Sequence, residues 1–262
     1  MTPGPGKDRR WILLLIPLII LGAGVGWIIF LFGHGARESE GHDYQYSITL
    51  SYTTTIENAT FLLPVPEMNG TSLLADMLVN GNGYGVPADW NLSLETVNGT
   101  PLLAIRAARM VPDYHEPPIP LEPGESPAGT PLLTATEYSE ETPVLIPKTI
   151  GATLRTDVPV DTRNPLAREP VFFPGGQFTP RPKTTPPYEG VESIHPVRLY
   201  VSYTADHPVS VSLVARVSGT NSIWRGGWTF NTYEDLVIVE AGNRTGWLEA
   251  DAILVSGEGV YW

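Results

Sequence analysis

The chain has 262 residues, 28 acidic against 16 basic side chains, a net charge of −12 and no cysteine. Such an acid excess repels nucleic acid and anionic headgroups. The missing cysteine excludes disulfides, thiolate metal ligands and a cysteine nucleophile.

Residues 1–10 read as a short tail with Lys7, Arg9, Arg10 and a single acid, Asp8. Trp11 to Phe32 follow as 22 residues without a charge. At ~1.5 Å per residue they would form a helix of about 33 Å, enough to cross a bilayer. The basic flank places the N-terminus in the cytoplasm and everything after residue 32 outside. A cleaved signal peptide would carry a shorter apolar region of about 7–15 residues, so an uncleaved anchor is expected. The bilayer is therefore the first expected partner. Gly22 and Gly26 make a G-x-x-x-G spacing through which two such helices could dimerise.

Residues 33–43 form a polar spacer, and residues 44–262 the outer domain. Tyr44, Tyr46, Ile48, Leu50 and Tyr52 alternate with polar residues, which predicts a half-buried strand. Phe61–Leu63 is a second, stopped by Pro64 and Pro66. Ser72 to Val79 predicts a short helix capped by Ser72, with Leu73, Leu74, Met77 and Leu78 on one face and Asn80-Gly81 at its end. The glycine run Gly81–Gly85 lacks the strand–loop–helix context and the lysine of a phosphate cradle. Asn98-Gly99 between two apolar runs predicts a tight hairpin, because a type I′ turn needs positive φ at both central residues.

Between Pro112 and Pro196 lie 18 of the 26 prolines. Proline lacks the N–H that a ladder needs, so loops are expected near 112–131 and 174–196, with short strands at 144–146 and 152–155 between them. The C-terminal third is the plainest β region. Alternating runs at 199–203 and 209–217 are joined by the Asp206-His207-Pro208 turn, and strands are predicted at 224–230, 236–240 and 247–255. Gly242-Asn243 and Gly257–Gly259 read as turns. Short strands at this spacing predict a mainly β domain, an antiparallel sandwich or partly open barrel, behind one transmembrane helix.

No constellation demands catalysis. The histidines are scattered, and Asp113-Tyr114-His115-Glu116 offers too few converging ligands for a metal. Adjacent acids such as Glu234-Asp235 would point to opposite faces of a strand. No catalytic residue, cofactor site or metal site is therefore assigned. Five N-x-[ST] sequons (Asn58, Asn69, Asn91, Asn98 and Asn243) lie on the side expected outside and are candidate glycosylation sites. Trp224-Arg225-Gly226-Gly227-Trp228, with Phe230 and Tyr233, is the most distinctive stretch. Exposed, Trp224, Trp228 and Tyr233 would contact a glycan or protein partner. Buried, they would form a core corner bent at Gly-Gly, and that is the expectation.

Asp161–Leu166, Glu169-Pro170-Val171, Trp224–Tyr233, Gly246-Trp247 and Gly257–Gly259, with the early Tyr-x-Tyr strand and Leu62–Pro66, resemble a group of uncharacterised, membrane-anchored surface proteins of archaea. The resemblance implies a location at the cell membrane and a shared β architecture, and it carries over no active-site residue. The expected function is a non-enzymatic cell-surface module that binds, scaffolds or builds the envelope. Carbohydrate binding through the Trp224 stretch is the alternative, and an extracytoplasmic hydrolase the more remote one.

Overall fold

A computed structural model describes residues 20–27, 39–115, 144–173, 176–181 and 190–262. The predicted span 11–32 is covered only at 20–27, which are helical (α1). Among the described residues no helix is long and apolar enough to cross a membrane. Of the loops expected near 112–131 and 174–196, residues 116–131, 174–175 and 182–189 lie outside the described residues, whereas 113–115 and 191–196 are strand and correct that expectation.

Among the described residues, fourteen strands, one further short α-helix and a 3-10 turn (Pro165–Ala167) follow. They are β1 (Gly41–Tyr52), β2 (Ile56–Pro64), β3 (Pro66–Glu67), α2 (Leu73–Val79), β4 (Asn91–Val97), β5 (Thr100–Met110), β6 (Asp113–His115) and β7 (Val144–Ile146). Then come β8 (Lys148–Thr156), β9 (Val171–Phe172), β10 (Thr179–Arg181), β11 (Val191–Thr204), β12 (Val211–Trp224), β13 (Trp228–Gly242) and β14 (Gly246–Gly259). Nine strands form one antiparallel sheet in the order β4-β5-β2-β11-β14-β13-β12-β1-β8, with β10 alongside β11. The fold is mainly β, a half-barrel.

Chain lengths explain why the sheet curls. Only residues 53–55 separate β1 from β2, yet these strands stand five places apart in the sheet. Laid flat, that is about 24 Å at ~4.8 Å per strand. Three linking residues reach about 13 Å. The sheet must therefore bend until β1 and β2 face each other across the core. Period-two alternation supplies what fills the bend. Tyr44, Tyr46, Ile48, Leu50 and Tyr52 of β1 point inward and meet Val211, Leu213, Ala215 and Val217 of β12 and Val237 and Val239 of β13 in one continuous core. The sheet ends in β4 and β8, and α2 packs on both of these edge strands. Its buried residues Leu74, Ala75 and Leu78 close the seam.

Local chemistry was legible in several places and misleading in others. Asn98 and Gly99 have φ of 53° and 84° and join β4 to β5 as predicted. The helix starts at Leu73, but Ser72 makes no side-chain cap and Leu73 is exposed. Residues 204–211 do not join neighbours: β11 and β12 are separated by β14 and β13, so the Asp206 turn crosses the end of the half-barrel. Gly257–Gly259 is a bulge inside β14 rather than a turn. Gly257 and Gly259 have φ of 77° and 97°, and the β13–β14 register slips between Thr232 and Glu234. Thr179–Arg181, expected in a loop, pairs with β11. The glycine run packs on β8, where the Tyr84 backbone bonds that of Gly151.

Candidate binding groove

A concavity on the outer face arises from a gap in the sheet. On one edge, β11 pairs with β10 through Ile194 and with β2 from Tyr200 onward, so among the described residues 195–199 have no neighbour strand there. Pro196 lies in this gap, where a residue without an N–H is tolerated. Beyond the gap, β3 and β9 pair, setting Pro66 opposite Phe172 and bringing Glu67 and Phe173 alongside. The Asn98-Gly99 turn closes another side. The resulting groove has a volume of about 280 Å³.

Its walls are apolar, with Val65, Val97, Pro101, Leu102, Phe173 and Trp247 among them. Trp247 is oriented by Tyr200, with ring centroids 5.4 Å apart. The Arg198 guanidinium also lies 5.1 Å from the Trp247 ring centroid. Arg198 also sits 3.8 Å from Glu249, an exposed pair that adds little stability. Glu67 is the second carboxylate of the lining, and burial raises its pKa above the usual carboxylate value. An indole face flanked by an amide, carboxylates and a guanidinium suits a ligand with both apolar and hydroxylated surface.

A second constellation lies inside the barrel. His195 Nε2 is 2.9 Å from Asp235 Oδ1, and the Phe172 N–H donates to Asp235 Oδ2 at 2.8 Å. Both side chains are wholly buried. Phe178 covers the imidazole at a centroid distance of 4.3 Å. Glu169 accepts from the Tyr44 hydroxyl and from the Asp161 N–H. Asn231 Oδ1 accepts from both Thr162 and Asn221, and Asn221 also bonds His42 and both backbone groups of Val160. These bonds pin the segment 160–172 across one end of the barrel. The inward carboxylates are thus occupied by protein donors, and neither lines the groove.

The predicted site residues scatter. Trp224 and Trp228 are 44% and 63% exposed, which overturns their expected place in a core corner. They form the end of the β12–β13 hairpin, where the Arg225 N–H bonds the Gly227 carbonyl and Gly226 has φ of 79°. Their rings meet edge to face, 5.9 Å and 69° apart, so they do not offer one flat platform. Tyr233 is fully buried and donates to the Pro170 carbonyl, so it is no surface contact. Asn58, Asn69, Asn91, Asn98 and Asn243 are all exposed. Three of them, Asn58, Asn69 and Asn98, also have positive φ, the turn and bulge role open to asparagine. Gly22 and Gly26 lie in α1, where an added Cβ would meet no neighbour. Asp113 is engaged by Lys148.

Sequence reasoning missed the groove and the His195–Asp235 pair. In the sequence His195 is one of the scattered histidines, beside Pro196. Its only signal was a place in register with Val197, Leu199 and Val201, which put it on the inward face. Trp247 was seen only as the start of a strand. Comparison with protein-family models, curated proteins and solved structures returned no match.

Proposed function

We propose that this chain is a single-pass, membrane-anchored extracytoplasmic protein whose β domain binds a ligand or partner without performing chemistry on it. One observation carries the anchor. The helical residues 20–27 leave Ile20, Leu21 and Val25 at least half exposed, inside a stretch of 22 residues that bears no charge. A bare apolar helix is unfavourable in water and stable in lipid. The binding reading rests on the groove at Trp247. The non-enzymatic reading rests on the inward carboxylates, both held by structural hydrogen bonds. The resemblance to archaeal surface proteins agrees with this location.

Protease added to intact cells expressing the full chain tests the reading. It should digest the region beyond residue 40 and spare the N-terminal tail. Digestion of that region only after lysis would overturn the assignment.

A carbohydrate is the second reading, now favoured at Trp247 rather than at Trp224 and Trp228. Trp247 is a single ring held in place beside Asn98, Glu67 and Glu249. The detergent-solubilised full chain should bind immobilised neutral oligosaccharides, and Trp247→Ala should abolish that binding. Equal binding by the variant would remove this reading.

A further inference from the structure

The end of the half-barrel at which the chain enters carries a cluster of exposed rings. Trp228 is 63% exposed and Phe230 55%. Trp224 faces Trp228 across the hairpin. Val260, also exposed, bonds the Phe230 carbonyl through its N–H at 2.9 Å, which brings the C-terminal Trp262 to the same end. Val158, 69% exposed, follows β8 there. The opposite end differs at its turn tips, which carry Asp206, His207, Asn243 and Arg244, all exposed, and its exposed indole, Trp247, belongs to the groove.

Chain length says what covers this cluster. The Trp224 N–H donates to Ser39 Oγ at 2.9 Å, and Gly41 pairs with Ser222. The uncharged stretch ends at Phe32, seven residues before Ser39. Seven residues span at most about 25 Å. With residues 11–32 across a bilayer, the hairpin end is tethered within that distance of the hydrocarbon edge, inside the reach of the headgroup layer. Indoles favour that layer because it solvates both the ring and its N–H. Arg225, at the tip, is the only charge between Trp224 and Phe230.

We propose that the Trp224–Trp228 hairpin end, with Phe230 and Trp262, inserts into the interfacial layer of the bilayer that holds residues 11–32, and so stands the half-barrel end-on to the membrane. This rests on the anchored reading above. The ligand is the zwitterionic interface itself, since the acidic domain disfavours anionic headgroups.

The natural absence of cysteine permits single-site spin labelling of the full chain in phosphatidylcholine vesicles. Labels would be placed at Leu21→Cys in the anchor, Asp206→Cys at the far end, and Trp228→Cys and Phe230→Cys at the proposed contact. The 228 and 230 labels should be several-fold less accessible to a water-soluble nickel complex than the 206 label, and more accessible to oxygen. Equal aqueous exposure at 206, 228 and 230, with 21 in lipid, would overturn the insertion while leaving the anchor standing. An aqueous label at 21 would overturn both. Dipolar broadening at 228 together with low accessibility to both oxygen and the nickel complex would overturn the insertion by showing a second copy packed on this surface. Folding of each variant is checked by circular dichroism, and two independent contact sites keep the result readable if one variant misfolds.

Discussion

His195 of β11 and Asp235 of β13 form a wholly buried pair, Nε2 to Oδ1 at 2.9 Å, across the strand between them. The second oxygen of Asp235 holds the Phe172 N–H and so fixes the β9 segment that borders the outer groove. One interior carboxylate thus ties two strands of the barrel to the wall of the candidate site.

Asp235→Ala should leave a buried imidazole and a buried N–H without their acceptor. Leaving a buried polar group without its partner typically costs about 1–3 kcal/mol. Urea denaturation followed by circular dichroism measures it. The double variant His195→Leu with Asp235→Leu should lose less than Asp235→Ala alone. A single-variant loss under about 1 kcal/mol would contradict the pair's role.

Two glycines separate strain from crowding. At Gly99 an added Cβ meets nothing within 4 Å, but φ is 84°. Gly99→Ala should therefore cost about 1 kcal/mol, through backbone strain alone. At Gly219, where φ is ordinary, the Cβ would lie 2.3 Å from the Tyr233 ring and 2.8 Å from Val160. Gly219→Ala should cost about 3 kcal/mol or more, because the close-packed core has nowhere to shift. Equal effects in denaturant unfolding would refute the distinction.

The buried tyrosines predict an alkaline transition. Burial raises the pKa of Tyr46 and of Tyr233, the latter with help from the negative charges of Glu169 and Asp235. Tyr52 is pushed up to about 12, mainly by burial. In the unfolded chain these phenols ionise near pH 10, about where model tyrosines do. Above pH 10 the unfolded state binds fewer protons than the folded one, so stability is fully present below pH 10 and falls as pH rises. Tyr46 and Tyr233 together contribute a loss of about 2.7 kcal/mol per pH unit there. Tyrosinate absorbance at 295 nm should appear together with loss of the β spectrum. Full titration with the spectrum intact would disprove it.

The exposed sequons make a simple prediction about export. Expressed in a host that adds N-glycans, the full chain should lose mass on treatment with an N-glycosidase, and replacing Asn58, Asn69, Asn91, Asn98 and Asn243 by Gln should abolish the change. An untreated mass equal to that of the bare chain would overturn export in that host or use of these sites.

The alternation in β1, the β12 run and the Asn98-Gly99 turn were legible because each depends on neighbours within a few residues. A period of two states that one face is covered, and positive φ in a hairpin selects Asn and Gly wherever the turn falls. So the sequence by itself determined a mainly β chain, the positions of its principal strands and several turns. It also held the uncharged stretch on which the membrane reading rests. What covers each face is a long-range matter. Only the tertiary structure decided that β1 and β2 face each other, that His195 meets Asp235, and that a missing neighbour beside Pro196 opens a groove at Trp247. It also decided that Trp224 and Trp228 stand exposed where Tyr233, on the same strand as Trp228, is buried. The physical reason is that burial belongs to what lies across the core, and strand pairing between residues more than a hundred positions apart leaves no local mark on the residues that make it.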